Sequence, residues 1–282
     1  SNYFLLDLHE HRSTFTLIAV LIANLAFVGA LLILLRILQR LQFPQAHIRK
    51  TIWLLLIFPL SFFFSAAYTE SLFLFFLLAR LYFSLKDNWW LCALLAALAT
   101  LTRPLAQLIV LPILITYLLK HRTRLRWQHL AAFSVIPLLF FLYIWVLYLV
   151  SGDWLMILHS HSAWGHSAST PWETLITGTS GYPVLDGINR GVVLFFIIFL
   201  LVYLRKYPYK EWGLFGLLLV GIPPFLGLST SLGRYAITAF PAYIALAGWL
   251  QTRPNLERWL ESLFLVAQAL VFAAWVRFYF VG

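Results

Sequence analysis

Charge is what this sequence has least of. Asp, Glu, Lys and Arg together make up 11% of its 282 residues, against about 25% in an ordinary soluble domain. A globule of this length needs a polar surface, and a chain that is 62% hydrophobic and 18% aromatic cannot supply one. A soluble fold is therefore excluded. The single cysteine, Cys92, excludes an internal disulfide and says nothing about redox compartment. Strand-period alternation is missing from the apolar runs, which argues against a β-barrel. A signal peptide is missing as well. The chain opens on SNYFLLDLHEHR with no Met, so a further N-terminal portion is expected upstream of Ser1.

What is present is apolar sequence in runs close to membrane length, about 20 residues of helix for about 30 Å of hydrocarbon. Charge, Gly and Pro divide it into ten candidate spans, near residues 14–35, 51–67, 70–86, 89–101, 104–119, 129–150, 191–204, 212–228, 235–250 and 259–280. Lipid requires the backbone to satisfy its own hydrogen bonds, so the expected fold is all-α. It is a polytopic membrane helical bundle of about ten transmembrane helices, one domain over residues 1–282.

The net charge of +10 does not point to nucleic acid, because the basic residues sit in short clusters between apolar runs. If Ser1 lies outside and the spans alternate, the inner segments hold Arg36, Arg40, Arg49, Lys50, Arg80, Lys86, Lys120, Arg122, Arg124, Arg126, Arg205, Lys206, Lys210, Arg253 and Arg258. That is fifteen of the twenty basic residues, and the positive-inside rule then sets the orientation. Trp89 and Trp90 read as an inner-face aromatic anchor. The long loop 151–190 falls outside, and its interspersed Trp, Tyr and aliphatic residues predict short helices packed on the outer face.

Polar motifs converge on that same outer face. In FPLSFFFSAAYTESLFLFF, Tyr68, Thr69, Glu70 and Ser71 interrupt the oil between the second and third spans. Thr102-Arg103-Pro104 joins the fourth and fifth, and Gly233-Arg234-Tyr235 the eighth and ninth. An ionic side chain within lipid is costly unless it is paired or used. Two readings remain open: Glu70 and an arginine close the bundle as a structural pair, or they line an outward cavity for an anionic, hydroxyl-rich ligand. Arginine suits phosphate because its planar fork gives bidentate bonds and keeps its charge. His159, His161 and His166 lack a carboxylate or cysteine at ligand spacing, so no metal is expected there, although a divalent ion is not excluded. Asn24 reads as a hydrogen-bonding residue between helices.

Together with LAALATLTRPLAQLIVLP, Gly152-Asp153, Trp164-Gly165, Pro171-Trp172 and GRYAITAFPAYIALAGW, the first motif resembles the bacterial relatives of the PIG-V mannosyltransferases. The resemblance runs in order from about residue 15 to the last span. It implies a GT-C type membrane glycosyltransferase that moves a hexose, mannose in that family, from a polyprenyl- or dolichyl-phosphate carrier to an acceptor hydroxyl on a glycolipid or glycan. The reaction would take place on the outer face of a bacterial plasma membrane, without a cofactor and without nucleic acid. In this reading Arg234, Arg103 and Tyr235 bind the donor phosphate, while Glu70, Tyr68, Ser71, Trp164 and Trp172 contact substrate. Phe-rich flanks at 62–64 and 73–76 are candidates for a prenyl groove. Family members carry an earlier span and an external loop with a Trp-Asp motif. Neither Asp7 nor Glu10 follows a tryptophan, so the general base is expected upstream of Ser1 and residues 1–282 alone would be inactive. The rival reading is a transporter or flippase of lipid-linked sugars, against which stands the lack of an internal repeat. A structural subunit without catalysis is the third.

Overall fold

The computed structural model describes residues 12–103, 107, 109–121, 125–157, 159, 170, 172–177, 183–226 and 231–277. Helix α1 (Arg12–Arg40) opens it, 29 residues with no proline to interrupt them. It is followed by α2 (Gln45–Ile57), α3 (Glu70–Leu85), α4 (Trp89–Thr102), α5 (Val110–Lys120), α6 (Trp127–Phe133) and α7 (Val135–Ser151). Then come α8 (Pro183–Lys206), α9 (Lys210–Gly221), α10 (Leu232–Ala236), α11 (Pro241–Leu250) and α12 (Pro254–Val276). Among the described residues there is no strand, as the sequence predicts.

Among the described residues four segments are long and apolar enough to cross a membrane: Ser13–Arg40, Trp127–Ser151, Asp186–Lys206 and Pro254–Val276. Their most apolar windows are only 11–39% buried. They present Leu17, Leu25, Phe141, Val150, Leu194 and Leu270 outward, each more than half exposed. So much contiguous apolar surface is unstable in water and is what lipid contact requires. This is a membrane protein.

Several of the remaining helices are cut short at proline. Helix α2 stops at Ile57, and the chain passes through Phe58-Pro59 into a 3-10 turn at Ser61–Phe64. Pro59 removes a backbone donor and its ring disfavours helix at the residue before it. Helix α9 ends at Gly221 ahead of the 3-10 turn Pro223–Leu226, and the chain breaks again between α10 and Pro241, the first residue of α11. Interrupted helices are tolerated at membrane depth only when protein covers their ends. Here it does. Phe58 is buried, with Phe196, Phe264, Tyr243 and Phe195 around it at ring distances of 5.2, 5.2, 5.8 and 5.9 Å. Helix α11 is buried along most of its length.

Two inner-segment assignments also change. Arg80 is not a junction residue: it lies within α3, 1% exposed, beside Cys92 and with the Phe215 ring 5.9 Å from its guanidinium. Trp89 is no interfacial anchor either. It is buried against Tyr117 and Phe133, at 4.9 and 6.0 Å, while Trp90 is half exposed.

The long loop is shorter than the spacing suggested, because α8 begins at Pro183 rather than at 191. Gly152 caps α7 in the left-handed region at φ 73°, and Trp154 stacks on Tyr148 at 4.2 Å. A π-helical turn at Glu173–Thr177 is tied down where Thr174 Oγ1 donates to the Pro224 carbonyl at 2.6 Å.

The helix ends sort into two sets. At one end, Lys50 pairs with Glu257 at 2.6 Å, Lys120 with Asp87 at 2.9 Å, and Tyr117 accepts from the Arg126 amide at 2.9 Å. These are the start of α2, the end of α5, the start of α6 and the start of α12. The opposite end holds the start of α3, the end of α4, and α10. Along α3, Glu70 and Lys86 are separated by 16 residues of helix, roughly 24 Å at 1.5 Å per residue.

Candidate functional site

Glu70 is the first residue of α3, where unpaired backbone N–H groups favour an anion. Arg103 follows the last turn of α4 in extended backbone, where the carbonyl end favours a cation. Arg234 lies in the five-residue helix α10. Three separate stretches of sequence thus meet on one atom. Glu70 Oε1 accepts a hydrogen bond from Arg234 Nε at 2.8 Å, lies 2.7 Å from Arg234 Nη2 in an ion pair, and also pairs with Arg103 Nη2. Arg103 Nη1 reaches the Arg234 carbonyl at 3.4 Å. The Glu70 carboxylate is fully buried, and its second oxygen, Oε2, has no hydrogen-bond partner among the described residues.

Two guanidiniums and one carboxylate leave a net charge of +1. Aromatic rings hold the excess charge in place. Arg234 lies 4.0 Å from the Tyr68 ring centroid and 5.2 Å from that of Phe63. Arg103 lies 4.8 Å from Tyr235 and 5.7 Å from Phe73. Such contacts contribute about 0.5–2 kcal/mol each, more where water is excluded. The side chain of Arg234 is 18% exposed and that of Arg103 is 9%. Arg234 is therefore the more accessible cation.

The backbone under Arg234 is pinned by a residue whose role is not legible in sequence. Gly233 N–H donates to Asn189 Oδ1 at 3.0 Å. A Cβ on Gly233 would lie 2.3 Å from Leu60 Cδ1 and 2.8 Å from Asn189 Oδ1. Only glycine lets α10 approach that closely, and GRY therefore needs its G for space. Thr238 Oγ1 closes the following turn on the Tyr235 carbonyl at 2.8 Å.

Beside the arginine pair an open cleft of about 1080 Å³ runs between the N-terminal part of α1 and the C-terminal part of α12. Val20, Phe62, Leu265, Ala269, Phe272 and Trp275 make it mostly apolar, and Ser65 and Gln268 add polar atoms. Tyr68 belongs to both features: it lines the cleft, and its ring carries Arg234. Asn24 bridges helices as expected, donating to the Ser65 carbonyl at 3.1 Å. Gln268 donates to the Leu56 and Phe58 carbonyls at 3.1 and 3.2 Å, satisfying the frayed end of α2.

The predicted residues thus separate. Glu70, Arg103, Arg234, Tyr68 and Tyr235 come together. Ser71 sits beside them but is fully buried and donates to the Phe64 carbonyl, which fastens the 3-10 turn to α3. Trp172 is 62% exposed and heads the π-helical turn. Trp164, His161 and His166 lie outside the described residues. Of the Phe-rich flanks, Phe62 lines the cleft, whereas Phe63, Phe64 and Phe73 are buried. His159 Nδ1 contacts Asp153 Oδ2 at 2.6 Å. The Leu155 amide first, then His159, holds the Asp153 carboxyl below its ordinary range. Among the described residues no group of three His, Cys, Asp or Glu is arranged to hold a metal. No protein-family model matches this chain, and neither the curated proteins nor the solved structures contain a match to it.

Proposed function

We propose that this chain is the membrane body of a GT-C type glycosyltransferase that uses a polyprenyl-phosphate hexose as donor. The observation that carries the reading is the pair of arginines sharing one oxygen of a buried carboxylate, next to an apolar cleft. A polyprenyl-phosphate donor has two chemically unlike ends, and each has a counterpart here. The cleft between α1 and α12 would take the chain, and Arg234, with Arg103 behind it, would take the phosphate. The basic helix ends lie on the far side of the bundle, so by the positive-inside rule this site faces outward.

In this reaction the acceptor oxygen bonds to C1 of the hexose as the bond from C1 to the phosphate oxygen breaks. The acceptor proton passes to a general base, and the electron pair leaves with the lipid phosphate. Charge grows on that phosphate in the transition state, where a preorganised cation stabilises it more than in the ground state. Glu70 serves by holding the two arginines together. Its Oε1 is shared by both arginines and its carboxylate is fully buried, away from an entering acceptor, so it braces the cations rather than accepting the proton. Mannose as the sugar rests on the family resemblance.

Broken helices favour the rival reading to one degree, since transporters also use them. The break at Pro59 lies beside the arginines, where Leu60 meets Gly233, whereas the break at Pro241 follows Phe240, whose ring is 5.7 Å from Trp212 near the start of α9. The test uses the full-length protein, reconstituted in vesicles with radiolabelled polyprenyl-phosphate mannose. Label recovered on an acceptor supports the transferase. Movement of intact donor across the bilayer with no transfer overturns it in favour of a flippase.

A further inference from the structure

The opposite end of the bundle carries a second cationic feature. Arg36 and Arg40 lie one helical turn apart near the end of α1, and both are exposed. Helix α3 packs along α1 and stops at Leu85, followed by exposed Lys86. The two helices come close because Gly29 has no side chain: a Cβ there would lie 2.8 Å from Phe75 Cε2. Between the three cations stands Tyr82. The Lys86 ammonium is 4.4 Å from its ring centroid, and Arg36 and Arg40 lie within electrostatic reach of the Tyr82 hydroxyl.

No carboxylate among the described residues neutralises this group. The adjacent Asp87 is engaged by Lys120 at 2.9 Å and His121 at 3.3 Å, and Glu257 is held by Lys50. The ends of α1 and α3 each carry about half a negative charge from their free carbonyls. That offsets part of the three positive charges and leaves a cationic notch of roughly +2. Above the notch, Leu25, Val28 and Leu32 continue the line of Arg36 up α1 at helical spacing, 65%, 55% and 56% exposed. A charged notch under an apolar stripe has the polarity of a phospholipid. Cationic pockets between helix ends on the basic side of a membrane protein select anionic headgroups.

We propose that the junction of α1 and α3 is a docking site for one anionic glycerophospholipid, its phosphate held by Arg36, Arg40 and Lys86 and one acyl chain lying along Leu32, Val28 and Leu25. This site is independent of the arginine pair at the other end and does not rest on the transferase reading.

The test is native mass spectrometry of the delipidated full chain titrated with phosphatidylglycerol or phosphatidylcholine. The expected result is retention of one phosphatidylglycerol at concentrations where phosphatidylcholine is not held. The triple variant R36Q/R40Q/K86Q is expected to weaken that retention at least tenfold. The single variant Lys86→Arg keeps it, and R49Q/R258Q, which removes two other cations from the same end, leaves it unchanged. Should the triple variant fail to fold, the singles R36Q and R40Q decide, each weakening retention severalfold. Equal retention of both lipids, full retention by the cationic variants, or the same loss in R49Q/R258Q overturns the site. Complete displacement by millimolar inorganic phosphate would show that the notch holds free phosphate and would overturn the assignment to a lipid.

Discussion

Replacing Glu70 by glutamine tests whether one carboxylate holds the arginine pair together. In the wild-type chain a fully buried oxygen accepts from Arg234 Nε and forms ion pairs with both Arg234 and Arg103. Glutamine keeps the shape but removes the charge, leaving two guanidiniums side by side, both mostly buried. Removing one partner of a buried ion pair costs about 3–5 kcal/mol, because the remaining charge is left uncompensated. In a chain of this size 1 kcal/mol moves Tm by about 2 °C, so the expected drop is about 6–10 °C. Thermal unfolding of the purified protein in detergent, followed by intrinsic tryptophan fluorescence, reads it directly. The double variant E70Q/R103Q leaves one guanidinium where E70Q leaves two, returning the net charge to +1, and should regain at least half of the loss. Arg234→Gln leaves Glu70 and Arg103 as a one-to-one pair, so it should unfold within a few degrees of wild type. An unchanged Tm in E70Q, or no recovery in the double variant, would refute the shared-oxygen arrangement as the holder of this end.

Three further outcomes follow from named contacts. Gly233→Ala drives a Cβ against Leu60 and Asn189, and overpacking of this kind costs about 1–3 kcal/mol; thermal unfolding should show the loss, and transfer should fall further because Arg234 moves with its backbone. Ala269→Trp projects bulk into the cleft between α1 and α12, so KM should rise for a long-chain prenyl donor and stay level for a short-chain analogue; equal effects on both would remove the cleft from the account. For Asp153, the Leu155 amide and then His159 favour the ionised carboxylate. The folded-state pKa is lowered, so this tie persists above the ordinary Asp range and is lost only as pH falls through the lowered value. Carboxyl NMR should give a titration midpoint below that of a free Asp, and His159→Ala should move it upward.

Much of this arrangement is readable from sequence, and the reasons are physical. Glu70, Arg103 and Arg234 are legible because a charge in an oily run is expensive, so each must be paired or used, and one alternating topology brings all three to one end. Arg80 is misread for the same reason: an ionic residue inside a short span looks the same in sequence as one at a junction. The count of ten crossings is met only in part, because hydropathy does not show which oily segments form full-length helices. Helices α9 and α11 are as oily as the longer ones, yet Pro223 and Pro241 cut them short. Trp89 shows a similar limit, since indole serves equally well in a membrane interface and in a core. Gly233 carries no local signal, because the crowding that requires it comes from Leu60 and Asn189, far away in the chain. The cleft is invisible in sequence for a related reason: its walls come from residues 16–20, 62–68 and 265–275, which only the fold brings together.

The central claim is that Arg234 is the accessible cation of a phosphate site, and affinity for the sugar-free lipid tests it most directly. Binding of polyprenyl phosphate to the full-length protein should weaken about tenfold or more in Arg234→Gln, since a hydrogen bond to a charged group contributes about 1.5–3 kcal/mol. The same variant should unfold close to the wild-type temperature. Unaltered affinity in a folded R234Q protein would contradict the account.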